Sequence, residues 1–130
     1  MSRFFVILLV PLFLIACSKA AGPELADVSG VITLDGEPLA NAGIMFQPEF
    51  GRPAFATTDS QGGYSLRYSE GSKGGAIGTN YVYIRTEIGS EDGGPPVVKE
   101  KLPVRYHEKT ELTANITSGK NTINFELFSK

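Results

Sequence analysis

The sequence predicts an all-β protein, an antiparallel sandwich of seven strands in Greek-key order. Three observations support this fold class. Short segments of alternating apolar and polar residues follow one another from Asp27 onward, turn-forming residues separate them at intervals of roughly 8 to 15, and no segment shows the spacing of an amphipathic helix. Seven short strands in about 100 residues are typical of a two-sheet sandwich.

The strands and their connections follow from local chemistry. Asp35 and Gly36 form the first turn, because Asp-Gly adopts positive φ at low cost. Residues 59–63 join the third and fourth strands as a hairpin, and four glycines indicate a mobile loop over residues 69–78. The predicted strands cover residues 28–34, 42–46, 54–58, 64–68, 81–86, 112–116 and 123–127.

The longest connection, residues 87–103, is the place where function is expected. It holds three glycines and three prolines, and connections of this length are usually functional or disordered. Glu87, Glu91 and Asp92 suggest a weak calcium loop, but a solvated acidic loop is the preferred interpretation. No other metal site and no cofactor is predicted, since the chain has one cysteine and one histidine.

The N-terminus has the pattern of an export signal. Arg3 precedes residues 4–15, which are apolar apart from Pro11. This run is shorter than the roughly 20 apolar residues that a membrane-spanning helix needs. We therefore predict a signal peptide at residues 1–16, a lipidated tether at residues 17–26 and the sandwich domain at residues 27–130.

Residues 14–17, Leu-Ile-Ala-Cys, resemble the lipobox of bacterial lipoproteins. The resemblance implies that Cys17 is lipidated and becomes the mature N-terminus, which places the protein on a membrane of the cell envelope. In such lipoproteins the next residue influences sorting, and Ser18 suggests the outer membrane. The alternative is an ordinary leader that is cleaved after Ala20 or Ala21.

Composition excludes some partners. Twelve basic and fourteen acidic residues give a net charge of −2, which is too small a field to attract nucleic acid or anionic lipid. The single cysteine, Cys17, leaves no pair for a disulfide within the chain, so the fold must be stabilised by packing alone.

Several segments resemble carboxypeptidase regulatory-like domains, a family of transthyretin-like sandwiches related to the immunoglobulin-like class. Residues 28–39 read VSGVITLDGEPL and precede the alternating Ala42, Ile44 and Phe46, while residues 57–66 read TTDSQGGYSL. Residues 102–113 and 119–127 resemble the ending of small bacterial lipoproteins of this type. The resemblance implies a fold and a non-enzymatic accessory or binding module, since its motifs are turns and core positions.

No enzyme is predicted. Some transthyretin-like proteins are hydroxyisourate hydrolases that use histidines, an arginine and a C-terminal Tyr-Arg-Gly-Ser, but this chain has one histidine and ends Leu-Phe-Ser-Lys. His107 stands in a polar stretch and is interpreted as a solvated loop residue rather than a general base. No nucleophile, base and orienting group can be assembled from these residues.

The candidate ligand surface is Tyr81, Tyr83 and Arg85. If Val82 and Ile84 point into the core, these three side chains line the outer face of one strand, where amphipathic rings suit sugar or peptide recognition. The alternative is cross-strand pairing of tyrosines on a solvated sheet.

These observations predict a lipid-anchored, non-catalytic envelope module that binds a protein or glycan near the membrane. A purely structural envelope lipoprotein without a separable ligand is the alternative. The oligomeric state is not predicted.

Overall fold

The computed structural model describes residues 22–130, which form an all-β sandwich of two sheets with one short 3-10 helix. The predicted signal peptide, the predicted lipidation site Cys17 and the following Ser18 lie outside the described residues. The strands are β1 Leu25–Leu34, β2 Glu37–Pro38, β3 Gly43–Pro48, β4 Ala54–Thr57, β5 Gly63–Ser65, β6 Arg67–Ser69, β7 Ser72–Lys73, β8 Gly75–Ala76, β9 Gly78–Arg85, β10 Thr113–Ile116, β11 Lys120–Thr122 and β12 Phe125–Leu127; the helix is Val104–Tyr106.

The first sheet is organised around β1. Along one edge β1 pairs antiparallel with β8, β5 and β2, and along the other it pairs parallel with β11 and β12. The parallel pairs correct the fully antiparallel prediction. The chain crosses from β10 in the second sheet and enters the first sheet at Lys120, opposite Asp27, so its last strands run in the same direction as its first.

The second sheet is antiparallel throughout and has the order β10-β9-β3-β4-β6-β7. Its centre is the pair β3 and β9, which runs in register from Gly43 opposite Arg85 to Pro48 opposite Asn80. The prediction that residues 81–86 form a central strand is confirmed, because β9 has a partner on each side.

The core lies between the two sheets and contains an aromatic cluster. Phe46 of the second sheet meets Tyr64 and Phe125 of the first, with ring centroids 6.4 and 6.1 Å away. The Tyr64 hydroxyl donates a hydrogen bond of 2.6 Å to the Ile123 carbonyl, and burial raises the pKa of Tyr64 above its ordinary value. The cluster therefore ties the sheets together with its one polar atom satisfied.

Each of the seven predicted strands has a counterpart, but the predicted hairpin is only partly formed, since β4 pairs antiparallel with β6 and not with β5. The predicted fourth strand divides at the buried Leu66: β5 pairs with β1 in the first sheet, and β6 reaches β4 through the single pair Phe55 and Arg67. Because Leu66 enters the core between the sheets, the chain changes sheet there. Strands β2, β7, β8 and β11 were not predicted.

Two further boundaries differ from the prediction. Residues 69–78 are not a loop, since β7 and β8 occupy much of this segment. The predicted tether, residues 17–26, overlaps the first strand, because Leu25 and Ala26 belong to β1 and pair with Ala76 and Gly75 of β8. A polar, glycine-rich composition concealed both, since these residues are held by backbone pairing rather than by apolar side chains.

The first predicted turn is confirmed and has a second role. Asp35 and Gly36 have φ values of 51° and 83°. The Asp35 carboxylate accepts hydrogen bonds from the Ser129 backbone N–H at 3.0 Å and the Ser129 hydroxyl at 2.6 Å, and these bonds lower the pKa of Asp35. The turn thereby holds the C-terminal residues.

The N-terminal side and the long connection lie at opposite ends of the sandwich. Strand β9 begins at Gly78, close to the Ile77 backbone N–H that donates to the Glu24 carbonyl at 3.0 Å. It ends at Arg85, opposite Gly43, where the long connection starts. Any ligand surface beside that connection is therefore remote from the N-terminal end.

Candidate functional site

The structure places the predicted ligand residues on the outer face of β9. Val82 and Ile84 are fully buried, whereas Tyr81 is 52% exposed, Tyr83 is half-buried and Arg85 is exposed. The orientation on which the ligand hypothesis depends is thus observed, and whether these side chains bind a ligand stays a prediction.

Strand pairing extends this surface across the sheet. Tyr83 lies opposite Met45, Met45 opposite Phe55, and Phe55 opposite Arg67, so these four side chains form one row across four strands. Neighbouring strands are about 4.8 Å apart, which places Tyr83 roughly 10 Å from Phe55. Phe55 is 53% exposed, so the row presents an apolar floor to solvent.

The next row along the same face has a glycine at its centre, so the surface is recessed there. It contains Arg85, Gly43 and Thr57 in register. A Cβ on residue 43 would meet nothing closer than the Arg85 carbonyl oxygen at 3.9 Å, so the space above this glycine is open. The missing side chain creates a depression between Arg85 and Thr57.

The long connection forms one wall beside this floor. We call residues 86–102 the arm. The outgoing and returning segments of the arm are joined by one pair of backbone hydrogen bonds. Ile88 N–H donates to Val98 O at 3.0 Å, and Val98 N–H donates to Ile88 O at 3.2 Å. The Ile88 side chain is 48% exposed and lies beside the sheet face.

Glu100 fastens the base of the arm. Its Oε1 accepts hydrogen bonds from Thr86 N–H at 2.9 Å, Thr86 Oγ1 at 2.7 Å and Leu102 N–H at 3.1 Å, and its Oε2 accepts one from Glu87 N–H at 3.2 Å. Desolvation raises the pKa of Glu100, but these four hydrogen bonds together outweigh it and hold the pKa below its ordinary value. The ionised form is therefore the one that fastens the arm.

Replacing Glu100 with glutamine is expected to destabilise the protein by about 1–2 kcal/mol near neutral pH, because charged acceptors make the stronger hydrogen bonds. A lowered pKa contributes stability that is present above the unfolded value of about 4.3 and lost as pH falls through the folded value. The unfolding free energies of wild type and Glu100→Gln, measured in urea, should differ at pH 7 and converge in acid, once the Glu100 carboxylate is protonated.

The matched control is Glu91→Gln, because Glu91 is exposed at the tip of the same arm. It should leave the unfolding free energy unchanged at pH 7 and in acid. If the unfolding free energies of wild type and Glu100→Gln still differ in acid, the ionised carboxylate does not have this role.

Sheet and arm together enclose an open groove with a volume of about 1430 Å³. The residues that define its chemistry are Met45, Phe55, Arg67, Tyr83, Arg85 and Lys101. Tyr83 and Arg85 of the predicted surface therefore come together in the groove, while Tyr81 lies outside it, opposite Gln47 and Thr113.

Sequence reasoning missed most of this site. Alternation within β3 predicts that Met45 points away from Ile44 and Phe46, yet its contact with Tyr83 depends on the register of two strands distant in sequence. Nothing local marks Phe55 or Arg67 as neighbours of that row. The sequence offered no indication of the role of Glu100 either, because the four groups that donate hydrogen bonds to its carboxylate come from both ends of the arm.

The structure corrects the interpretation of His107. This side chain is only 5% exposed, and its Nε2 lies 3.0 Å from the Leu102 carbonyl oxygen, to which it donates. Its Nδ1 finds no hydrogen-bond partner among residues 22–130. The 3-10 turn after Pro103 directs Tyr106 and His107 inward, which the polar sequence of this stretch concealed.

The acidic residues of the arm are not gathered into a metal site. Across residues 22–130, no three His, Cys, Asp or Glu side chains, including Glu87, Glu91 and Asp92, are grouped so that they could hold an ion. In the same part of the chain, no helix is long and apolar enough to cross a membrane.

Comparison with known proteins gave few matches. No family model and no characterised protein matches the chain. Similar solved structures include a DUF3823 family protein from Parabacteroides merdae, at 17% identity and a TM-score of 0.44, covering 81% of this chain and 46% of that one. A 9R-lipoxygenase from Cyanothece is similar at 16% identity and a TM-score of 0.43, covering 85% of this chain and 18% of that one. The chain spans less than half the length of either protein.

Proposed function

We propose that this protein is an exported, lipid-anchored and non-catalytic module of the cell envelope, which binds a protein or glycan through the groove between the arm and the second sheet. The proposal includes acylation at Cys17 and a transthyretin-like, Greek-key relationship to carboxypeptidase regulatory-like domains. The observation that carries it is the continuous row of Tyr83, Met45 and Phe55 on the outer face of the second sheet, in which Phe55 is exposed and the other two are half-buried.

The groove is suited to binding because its parts are held before a ligand arrives. Its floor belongs to β3 and β9, the longest pair of the second sheet, and Glu100 fastens the arm at both ends. A preformed surface avoids the ordering cost that flexible partners incur on association. Tyrosine, phenylalanine, methionine and arginine are also the residue types enriched at recognition surfaces.

The location of the groove agrees with an N-terminal anchor. Residues 17–24 precede β1 and, at about 3.3–3.6 Å each, reach at most roughly 30 Å. The groove opens beside the arm, at the end of the sandwich remote from Leu25. An anchor at Cys17 would therefore hold the domain near the membrane with the groove directed away from it.

Photo-crosslinking in cells tests this proposal. We would replace Phe55 in the groove with p-benzoylphenylalanine and, as the matched control, Val31 on the outer face of the first sheet, since both side chains are exposed. Membrane-bound adducts are expected from residue 55 and not from residue 31. Intact mass should show a chain that begins at acylated Cys17, and Cys17→Ser should abolish both the acyl mass and membrane retention.

Two results would contradict the proposal. Absence of adducts at residue 55, together with a weakened envelope when the protein is deleted, would favour the purely structural role. A soluble chain cleaved after Ala20 or Ala21 would eliminate the anchor.

A further inference from the structure

We propose that the groove takes an extended, acidic segment of a partner protein, with carboxylates held at its two ends and apolar side chains over its floor. This inference rests on the proposed binding function and specifies the chemistry of the ligand.

The charge of the groove favours an acidic partner. Its lining contains three cations, Arg67, Arg85 and Lys101, against one carboxylate, Glu87. The chain as a whole carries a net charge of −2, so this local excess is opposite in sign to the rest of the molecule. A ligand with carboxylates would therefore meet an excess of guanidinium and ammonium groups, which bind carboxylates strongly.

The apolar part of the lining favours a peptide over a sugar. Sugar hydroxyls need acceptors as well as donors, and besides the hydroxyls of Thr57, Thr86 and Tyr83 the groove offers one acceptor carboxylate, Glu87, and one amide, Asn41. Its floor instead consists of Tyr83, Met45 and Phe55. Aromatic and methionine side chains on a surface, bordered by arginine, are typical of protein recognition surfaces.

The distance between the two arginines specifies the ligand further. Arg67 lies three strands from Tyr83 in the same row, about 14 Å away, and Arg85 lies two residues along β9 from Tyr83, about 7 Å away. The Cα atoms of Arg67 and Arg85 are therefore separated by about 16 Å. An extended segment rises about 3.3 Å per residue, so carboxylates four or five residues apart would reach both arginines. The residues between them would cross Met45 and Phe55.

Selection from random peptides tests this geometry without a known partner. A library of displayed random peptides is selected on the full-length protein in detergent micelles and counter-selected on the Arg67→Glu, Arg85→Glu double variant. Enriched peptides should carry two acidic residues four or five apart with apolar residues between them. Their affinity, measured by fluorescence anisotropy, should weaken roughly tenfold for each arginine reversed and fall with added salt.

The matched control is Lys120→Glu, which reverses one exposed cation on the first sheet and should leave peptide affinity unchanged. Enrichment of peptides without an acidic excess, equal binding to the double variant, or no enrichment at all would overturn the proposal. A uronic acid oligomer that binds where no acidic peptide does would replace the peptide with an anionic glycan. That outcome leaves the proposed function intact, whereas absence of crosslinks at residue 55 in cells removes the binding function itself.

Discussion

Phe46→Ala is expected to lower the free energy of unfolding by about 3–5 kcal/mol, because it removes a large, fully buried ring and leaves a cavity. Phe46 is the second-sheet member of the aromatic cluster, and both Tyr64 and Phe125 lose their contact with that sheet. A domain of this size has a total stability of about 5–15 kcal/mol, so the variant should be close to unfolding.

The control for this prediction is Phe55→Ala, the same change on the opposite face of the same sheet, where the ring is half exposed. Urea unfolding should show a large decrease in midpoint for Phe46→Ala and a change within about 0.5–1 kcal/mol for Phe55→Ala. Equal losses would mean that the row on the outer face is covered by structure in the native protein.

Gly74→Ala is expected to lower the free energy of unfolding by about 3–5 kcal/mol for two independent reasons. A Cβ on residue 74 would lie 2.1 Å from the carbonyl oxygen of Ala26, a backbone atom of β1 that cannot rotate away. The residue also has a φ of 94°, which side chains other than glycine adopt at a cost. Relief of the clash would require β1 to separate from the segment between β7 and β8.

Gly71→Ala is the matched control, since a Cβ there has no neighbour within 4 Å. This change should leave stability within about 0.5 kcal/mol of wild type, or raise it slightly by restricting the unfolded chain. Hydrogen exchange of the Ile77 amide, which bonds the Glu24 carbonyl, should accelerate in Gly74→Ala alone. Comparable stability of the two variants would show that residues 69–78 move freely, as the glycine content had suggested.

The residues that stabilise the fold differ from the residues of the proposed binding groove. Phe46 and Gly74 lie in the core and at a strand contact, away from the groove lining, and Phe55, Arg67 and Arg85 lie on the outer face. Changes in the second set should affect binding with little loss of stability. Changes in the first set should affect binding only through loss of folded protein.

Local patterns were sufficient for much of the fold. Alternation at period two predicted the all-β class and the positions of the seven main strands. For β9 it left two orientations open, and the structure shows the one in which Val82 and Ile84 point inward and Tyr83 and Arg85 point outward. Asp35 and Gly36 predicted their own turn, because positive φ depends on residue type. These features follow from interactions within a few residues of chain.

Polar and glycine-rich segments were where such reasoning failed. His107 stands among polar residues and is buried, because a short 3-10 turn redirects the chain. Gly75 and Ala76 offer little apolar surface, yet they pair with the beginning of β1. Composition is a poor guide where backbone hydrogen bonds, rather than apolar side chains, decide the structure.

The sequence by itself determined the all-β class, the positions of the seven main strands and the turn at Asp35 and Gly36, because these depend on side-chain alternation and on the φ preferences of single residues. Only the tertiary structure decided the parallel pairing of β1 with β11 and β12, the change of sheet at Leu66 and the row from Tyr83 to Arg67. Strand register joins residues that are distant along the chain, and no short stretch of sequence contains both partners. The groove is built from such pairs, so it exists only in the folded protein.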